Sequence, residues 1–108
     1  KFTYKGLIIM KFTMCGFSQQ AALEFGLDTT DLYILRWIVD FMESGRMRTM
    51  TLDGERYYWV SYQGIVDDMP LLYIKKDAVY KRLRHICDLG ILEENCLLWR
   101  EVFLLYSR

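Results

Sequence analysis

The chain has 108 residues, is 53% hydrophobic and 16% aromatic, and carries 14 Lys and Arg against 14 Asp and Glu. That length holds one domain but not comfortably two, and the apolar content builds a core without disulfide staples. No apolar run approaches the ~18 residues of a membrane span, no basic-then-apolar leader is expected at the start, and a formal net charge of zero supplies no global field for a polyanion.

Cys15, Cys87 and Cys96 are odd in number and form no CxxC pair. The expectation is reduced thiols in a cytoplasmic protein, with neither a disulfide framework nor a zinc finger. Near the start, "KFTYKG" at 1–6 is echoed by "KFTMCG" at 11–16, but two copies of six residues make no solenoid. Met10 opens "MKFTMCGFSQQ" as a natural start would. Residues 1–9 are therefore read as an extra or frayed segment without function, and residues 10–108 as the domain.

Ser18 can cap a short helix in "SQQAALEFGL", with Gly26 ending it. "LDTTDLYILRWIVDFMESG" reads as a long amphipathic helix, capped by Thr29 or Thr30, with Asp31 in its first turn and Gly45 closing it. Leu32, Leu35, Ile38, Val39 and Met42 keep i, i+3, i+4 spacing, and Trp37 and Phe41 widen the stripe. A stripe this wide is core rather than a cofactor box.

"MRTMTLDGERYYWVSY" predicts a hairpin, because Asp53-Gly54 supplies the two positive-φ residues of a type I′ turn and "RYYWVSY" is rich in strand-forming residues. Ser61 can cap a short helix in "YQGIVDDM", with Ile65, Val66 and Met69 inward and Pro70 at its end. After the tight connection "LLYI", the stretch "IKKDAVYKRLRHICDLGIL" predicts a helix stopped by Gly90, and "ILEEN" a strand leaving it. The whole reads as α+β, a helix-turn-helix running into a wing with a hairpin inserted between helices.

Charge is unevenly placed along this order. Residues 18–74 hold four Lys and Arg and nine Asp and Glu, whereas residues 75–85 hold five and one, with His85 in addition. At 100° per residue, Val79, Leu83 and Ile86 share one face of the basic helix, flanked by Cys87 and Leu89; Asp77, Lys81, Arg84 and Asp88 lie opposite. Lys75 and Lys76 sit at the helix N-terminus, where cations oppose the macrodipole, so a nearby phosphate or base would account for them. The bland alternative is a solvated charged face in which Asp77 and Lys81 form an i, i+4 pair.

Other candidates are weaker. His85 lacks neighbours at metal-ligand spacing and reads as a surface or phosphate-proximal side chain. Asp67 and Asp68 point roughly 100° apart on a helix and mark its end rather than a metal site. No Gly-rich phosphate loop, nucleophile elbow or triad spacing is present, so no catalysis, cofactor or metal is expected.

Taken together, "FSQQAALEFGLDTTDLYILRWIVDF", "YYWVSYQGIVDDMP" and "IKKDAVYKRLRHICDLGIL" resemble the N-terminal winged-helix domain of phage replisome organisers and plasmid replication initiators of Gram-positive bacteria, over about residues 10 to 95. The resemblance implies sequence-specific binding of double-stranded DNA at a replication origin, with replisome proteins as further partners and a homodimer left open. It makes the helix from Lys75 to Leu89 the recognition helix. Lys76, Asp77, Lys81 and Arg84 would then face bases, with Lys75, Tyr80 and Arg82 near phosphates.

The chain departs from that pattern at 91–108, so the wing is atypical or truncated. A wing wants two alternating strands about a Gly-rich turn, and "NCLLWREVFLLYSR" has no glycine. One reading is a reading-frame slip near Asn95, since codons for 95–106 can be chosen whose shifted frame reads Thr-Val-Tyr-Cys-Gly-Gly-Lys-Tyr-Phe-Tyr-Tyr-Ile; the genomic nucleotide sequence decides it. On that reading "LLWREVFLLY" is an aggregation hazard. The other reading is a short hairpin about Arg100-Glu101, or a segment packed on a partner subunit. Two further functions stay open: a winged-helix transcriptional regulator, and a protein-docking winged helix that binds no DNA.

Overall fold

The structure, a computed structural model, describes the backbone of residues 2–4, 7–91, 96–98 and 102–106, with side chains from 10 to 91. It is an α+β arrangement. β1 (Phe2–Tyr4) and β2 (Leu7–Ile9) pair antiparallel as a two-stranded sheet of their own, within the segment at 1–9. β3 (Thr13–Met14) and β4 (Phe17–Ser18) form a second hairpin. Its turn residues Cys15 and Gly16 have φ of 54° and 81°, the backbone that a type I′ turn requires.

α1 (Gln19–Phe25) starts where Ser18 accepts a bond from the Ala21 amide at 3.1 Å, and ends at Gly26 in the left-handed region. α2 (Thr29–Glu43) is capped by Asp28, one residue before the expected threonines. Asp28 Oδ1 accepts from the Asp31 amide and Asp31 Oδ2 accepts from the Asp28 amide, each at 3.0 Å. This reciprocal capping box satisfies two orphan donors, which a threonine hydroxyl alone does not do. Asp31, read from the sequence as a first-turn charge, is buried.

β5 (Thr49–Leu52) and β6 (Glu55–Ser61) form the expected hairpin, with Asp53 and Gly54 at φ of 52° and 79°. Ser61 then caps α3 (Tyr62–Asp68), its hydroxyl accepting from the Gly64 amide at 3.1 Å. Pro70 opens a single 3-10 turn, Pro70–Leu72, before α4 (Lys76–Asp88). Beyond α4, Gly90 takes φ of 76° and its amide bonds to the Cys87 carbonyl.

The chain closes with β7 (Cys96–Leu98) and β8 (Val102–Tyr106), antiparallel to each other. The register Leu98↔Phe103 centres this pair between Arg100 and Glu101, as the short-hairpin reading expects. Those two residues, the strand expected over "ILEEN" beyond Ile91 and the side chains of "LLWREVFLLY" lie outside the described residues. β8 also pairs with β6, giving one four-stranded antiparallel sheet in the order β5-β6-β8-β7. The inserted hairpin and the C-terminal strands, which the sequence presents as separate features, are parts of one sheet.

The core lies where α2, α3 and α4 meet β6. Ile34, Ile38, Met47, Val60, Tyr62, Ile65, Val79 and Leu83 form one buried cluster, against which Trp37, Phe41, Met42, Val66 and Met69 pack. Val79, Leu83 and Ile86 are fully buried, as their spacing predicts. Burying a side chain of this size contributes about 1.5–3 kcal/mol, so this face fixes α4 onto the domain and thereby decides which residues α4 presents to solvent.

Candidate nucleic-acid interface

Lys75 is the N-cap of α4 and makes no side-chain cap bond. The position favours Ser, Thr, Asp or Asn, and here two adjacent cations stand at the start of the helix instead. Lys75 is exposed, and Lys76 is half-buried at the first helical position. Asp77, Lys81, Arg84 and Asp88 are exposed along one stripe opposite Val79 and Leu83, with His85 exposed beside them. Lys81 and Arg84 have no ion-pair or hydrogen-bond partner among the described residues. The anticipated Asp77–Lys81 pair is likewise not formed there.

Two of the seven sequence candidates turn toward the protein instead. Tyr80 packs against the core cluster and meets the buried Tyr62 ring edge-on, with centroids 5.7 Å apart. Burial of Tyr62 pushes its phenol well above the ordinary tyrosine range, so it stays neutral. Arg82 Nη1 donates to Asp28 Oδ1 and Oδ2 at 2.7 and 2.8 Å and to Asp31 Oδ1 at 3.0 Å. These bonds join α4 to the capping box of α2. The Arg82 hydrogen bond holds the Asp28 carboxyl below the usual carboxylate range, and the Asp28 bond in turn raises the Arg82 guanidinium.

The turn before α4 adds two residues that the sequence reading passed over as a connection. Leu71 and Tyr73 are 79% and 87% exposed, and Tyr73 holds φ of 54°. A non-glycine residue in the left-handed region costs roughly 1–2 kcal/mol. The signal available in the sequence was apolar side chains crowded just after the only proline. Asp67 and Asp68 do not act together: Asp67 accepts from Gln63 at 2.8 Å, and Asp68 accepts from the Trp37 indole at 2.7 Å. Among the described residues no group of three His, Cys, Asp or Glu is placed to hold a metal ion, and no helix is long and apolar enough to cross a membrane.

The arrangement can present cations and hydrogen-bond donors on the solvent side of a firmly seated helix. Arginine and lysine there suit guanine edges or phosphates, and Asp77 suits a cytosine amino group. In comparisons with protein-family models, curated proteins and solved structures, no match to this chain is found. The likeness to replication initiators therefore stands on the three sequence stretches quoted above.

Proposed function

We propose that this chain is a winged helix-turn-helix domain that reads double-stranded DNA with the outer face of α4, as the DNA-binding part of a phage or plasmid replication initiator. The observation that carries the DNA-binding reading is the division of α4: Arg82 seats the helix on α2, while Lys81 and Arg84, on its solvent side, have no partner among the described residues. The order of elements supports the winged-helix reading. From α2 onward, a helix, a two-stranded hairpin, two helices across a short turn and two final strands follow in sequence, and β8 returns to pair with β6 beside β7. The replication role draws only on the sequence likeness. In this reading Lys81 and Arg84 meet base edges, Lys75 and Lys76 meet backbone phosphates, and Arg82 and Tyr80 position the helix without touching DNA.

A second reading, docking to a protein, draws on Asp77 and Asp88, which offset the cations of the same stripe, and on the exposed Leu71 and Tyr73. Salt separates the two. Phosphate contacts release counterions, so affinity for duplex DNA should fall by more than about tenfold between ~50 and ~200 mM salt. The experiment is titration of duplex fragments from the chain's own replicon at both concentrations. Selective, salt-sensitive binding of an origin fragment supports the initiator. Selective binding of a promoter fragment only identifies a transcriptional regulator. No salt-sensitive binding leaves docking.

A further inference from the structure

A cleft of about 810 Å³ opens between the C-terminal half of α2, the connection to β5, β6 and α3. No residue of α4 lines it. Its walls carry the aromatic rings of Trp37, Phe41 and Trp59 together with Arg46, Arg48 and Asp68. The Arg46 guanidinium lies 5.9 Å from the Phe41 ring centroid, and that of Arg48 lies 5.9 Å from the Trp59 centroid. Both arginines are exposed, and neither has a carboxylate partner among the described residues. The remaining acid of the cleft, Asp40, is occupied by Arg36 at 2.6 Å. Asp68 spends only Oδ2, on the Trp37 indole N–H, and its Oδ1 accepts nothing among the described residues.

We propose that this cleft binds single-stranded DNA, taking a base against Trp59 and the adjoining phosphate on Arg46 and Arg48. Each part of the lining has a counterpart in a nucleotide. An aromatic face accepts any base by stacking, and a guanidinium fork matches phosphate geometry while resting on a ring. The open Asp68 Oδ1 can accept from an exocyclic amino group or a guanine N1–H. An acidic peptide would satisfy the arginines but bring no planar base to stack on Trp59. An apolar peptide would strip water from two guanidinium groups without replacing it. The site goes beyond duplex reading by α4: a domain holding both surfaces could grip a duplex and an adjoining unpaired strand.

The test uses the full chain and single-stranded oligonucleotides of about eight nucleotides, with tryptophan emission as the readout in a Trp99→Phe background. Binding should quench emission, and Arg46→Ala/Arg48→Ala should weaken it by about tenfold or more, the scale of losing a stacked base with its phosphate contact. Arg46→Lys/Arg48→Lys should keep the charge, lose the planar stack and fall between. Both arginines are exposed, and an unchanged melting temperature confirms that the variants fold. Absence of binding by the parent, equal binding by the Ala variant, or equally good competition by a poly-glutamate peptide would overturn the proposal. Lys81→Ala/Arg84→Ala should leave single-strand binding intact. Failure of the parent chain to bind duplex DNA while it binds the single strand would thus count against the role of α4 and not against this cleft.

Discussion

Arg82 and Arg84 stand two positions apart on one helix and meet opposite fates. Arg82 is directed along the inner side of α4, where two carboxylates of α2 receive it. Arg84 lies on the outer stripe with Lys81 and has no partner among the described residues. In a linear reading both belong to a single basic run. The fold divides that run into cations that hold the helix and cations that the helix presents. A count of charge along a sequence overstates a binding surface whenever an amphipathic helix directs part of that charge inward.

The inner face should be broken most severely at Leu83. It is fully buried, and Leu83→Ala should cost about 2–5 kcal/mol of stability, read by denaturant unfolding. Arg82→Ala comes next. It leaves Asp31 buried without this donor and should cost about 1–3 kcal/mol. If Arg82 instead served DNA, its loss would leave stability unchanged and weaken binding only.

Acid provides a finer probe of the same contact. The Asp28 carboxyl is depressed by the Arg82 hydrogen bond, so its contribution is present above the unfolded value near ~3.9 and is lost as pH falls through the lower folded value. The stability gap between parent and Arg82→Gln should therefore be constant near neutral pH and narrow below about pH 4. A gap that stays constant through acid would detach Asp28 from the contact. The smallest effect belongs to the outer face, where Lys81→Ala/Arg84→Ala should shift stability by no more than about 0.5 kcal/mol.

Much of the local structure was legible because its causes are local. Ser18 and Ser61 cap the helices that follow them, Asp53-Gly54 makes its turn, and spacing alone identified Val79, Leu83 and Ile86 as inward. The cap of α2 was misplaced onto Thr29 or Thr30 because three residues in a row are competent caps. What separates them is the carboxylate pair of Asp28 and Asp31, which also binds an arginine 54 positions away from Asp28. Ile34 is fully buried yet falls outside the stripe read from spacing, since α3 and α4 widen the covered arc of α2. The pairing of β8 with β6 was likewise hidden; the residues that it joins are over forty positions apart, and no turn signal marks it. At the candidate site, spacing found the outer stripe, but it could not foretell that Tyr80 would pack on Tyr62 or that Arg82 would be occupied.

In the proposed division of α4, the outer face reads duplex DNA while the inner face only seats the helix. The most direct measurement compares the parent with Lys81→Ala/Arg84→Ala for affinity to the preferred duplex and to a scrambled one at a single salt concentration, with melting temperature recorded alongside. The melting temperature should be unchanged, and each side chain should cost about 1–3 kcal/mol on the preferred duplex, more than on the scrambled one. Unaltered affinity for both duplexes in a folded variant would contradict it.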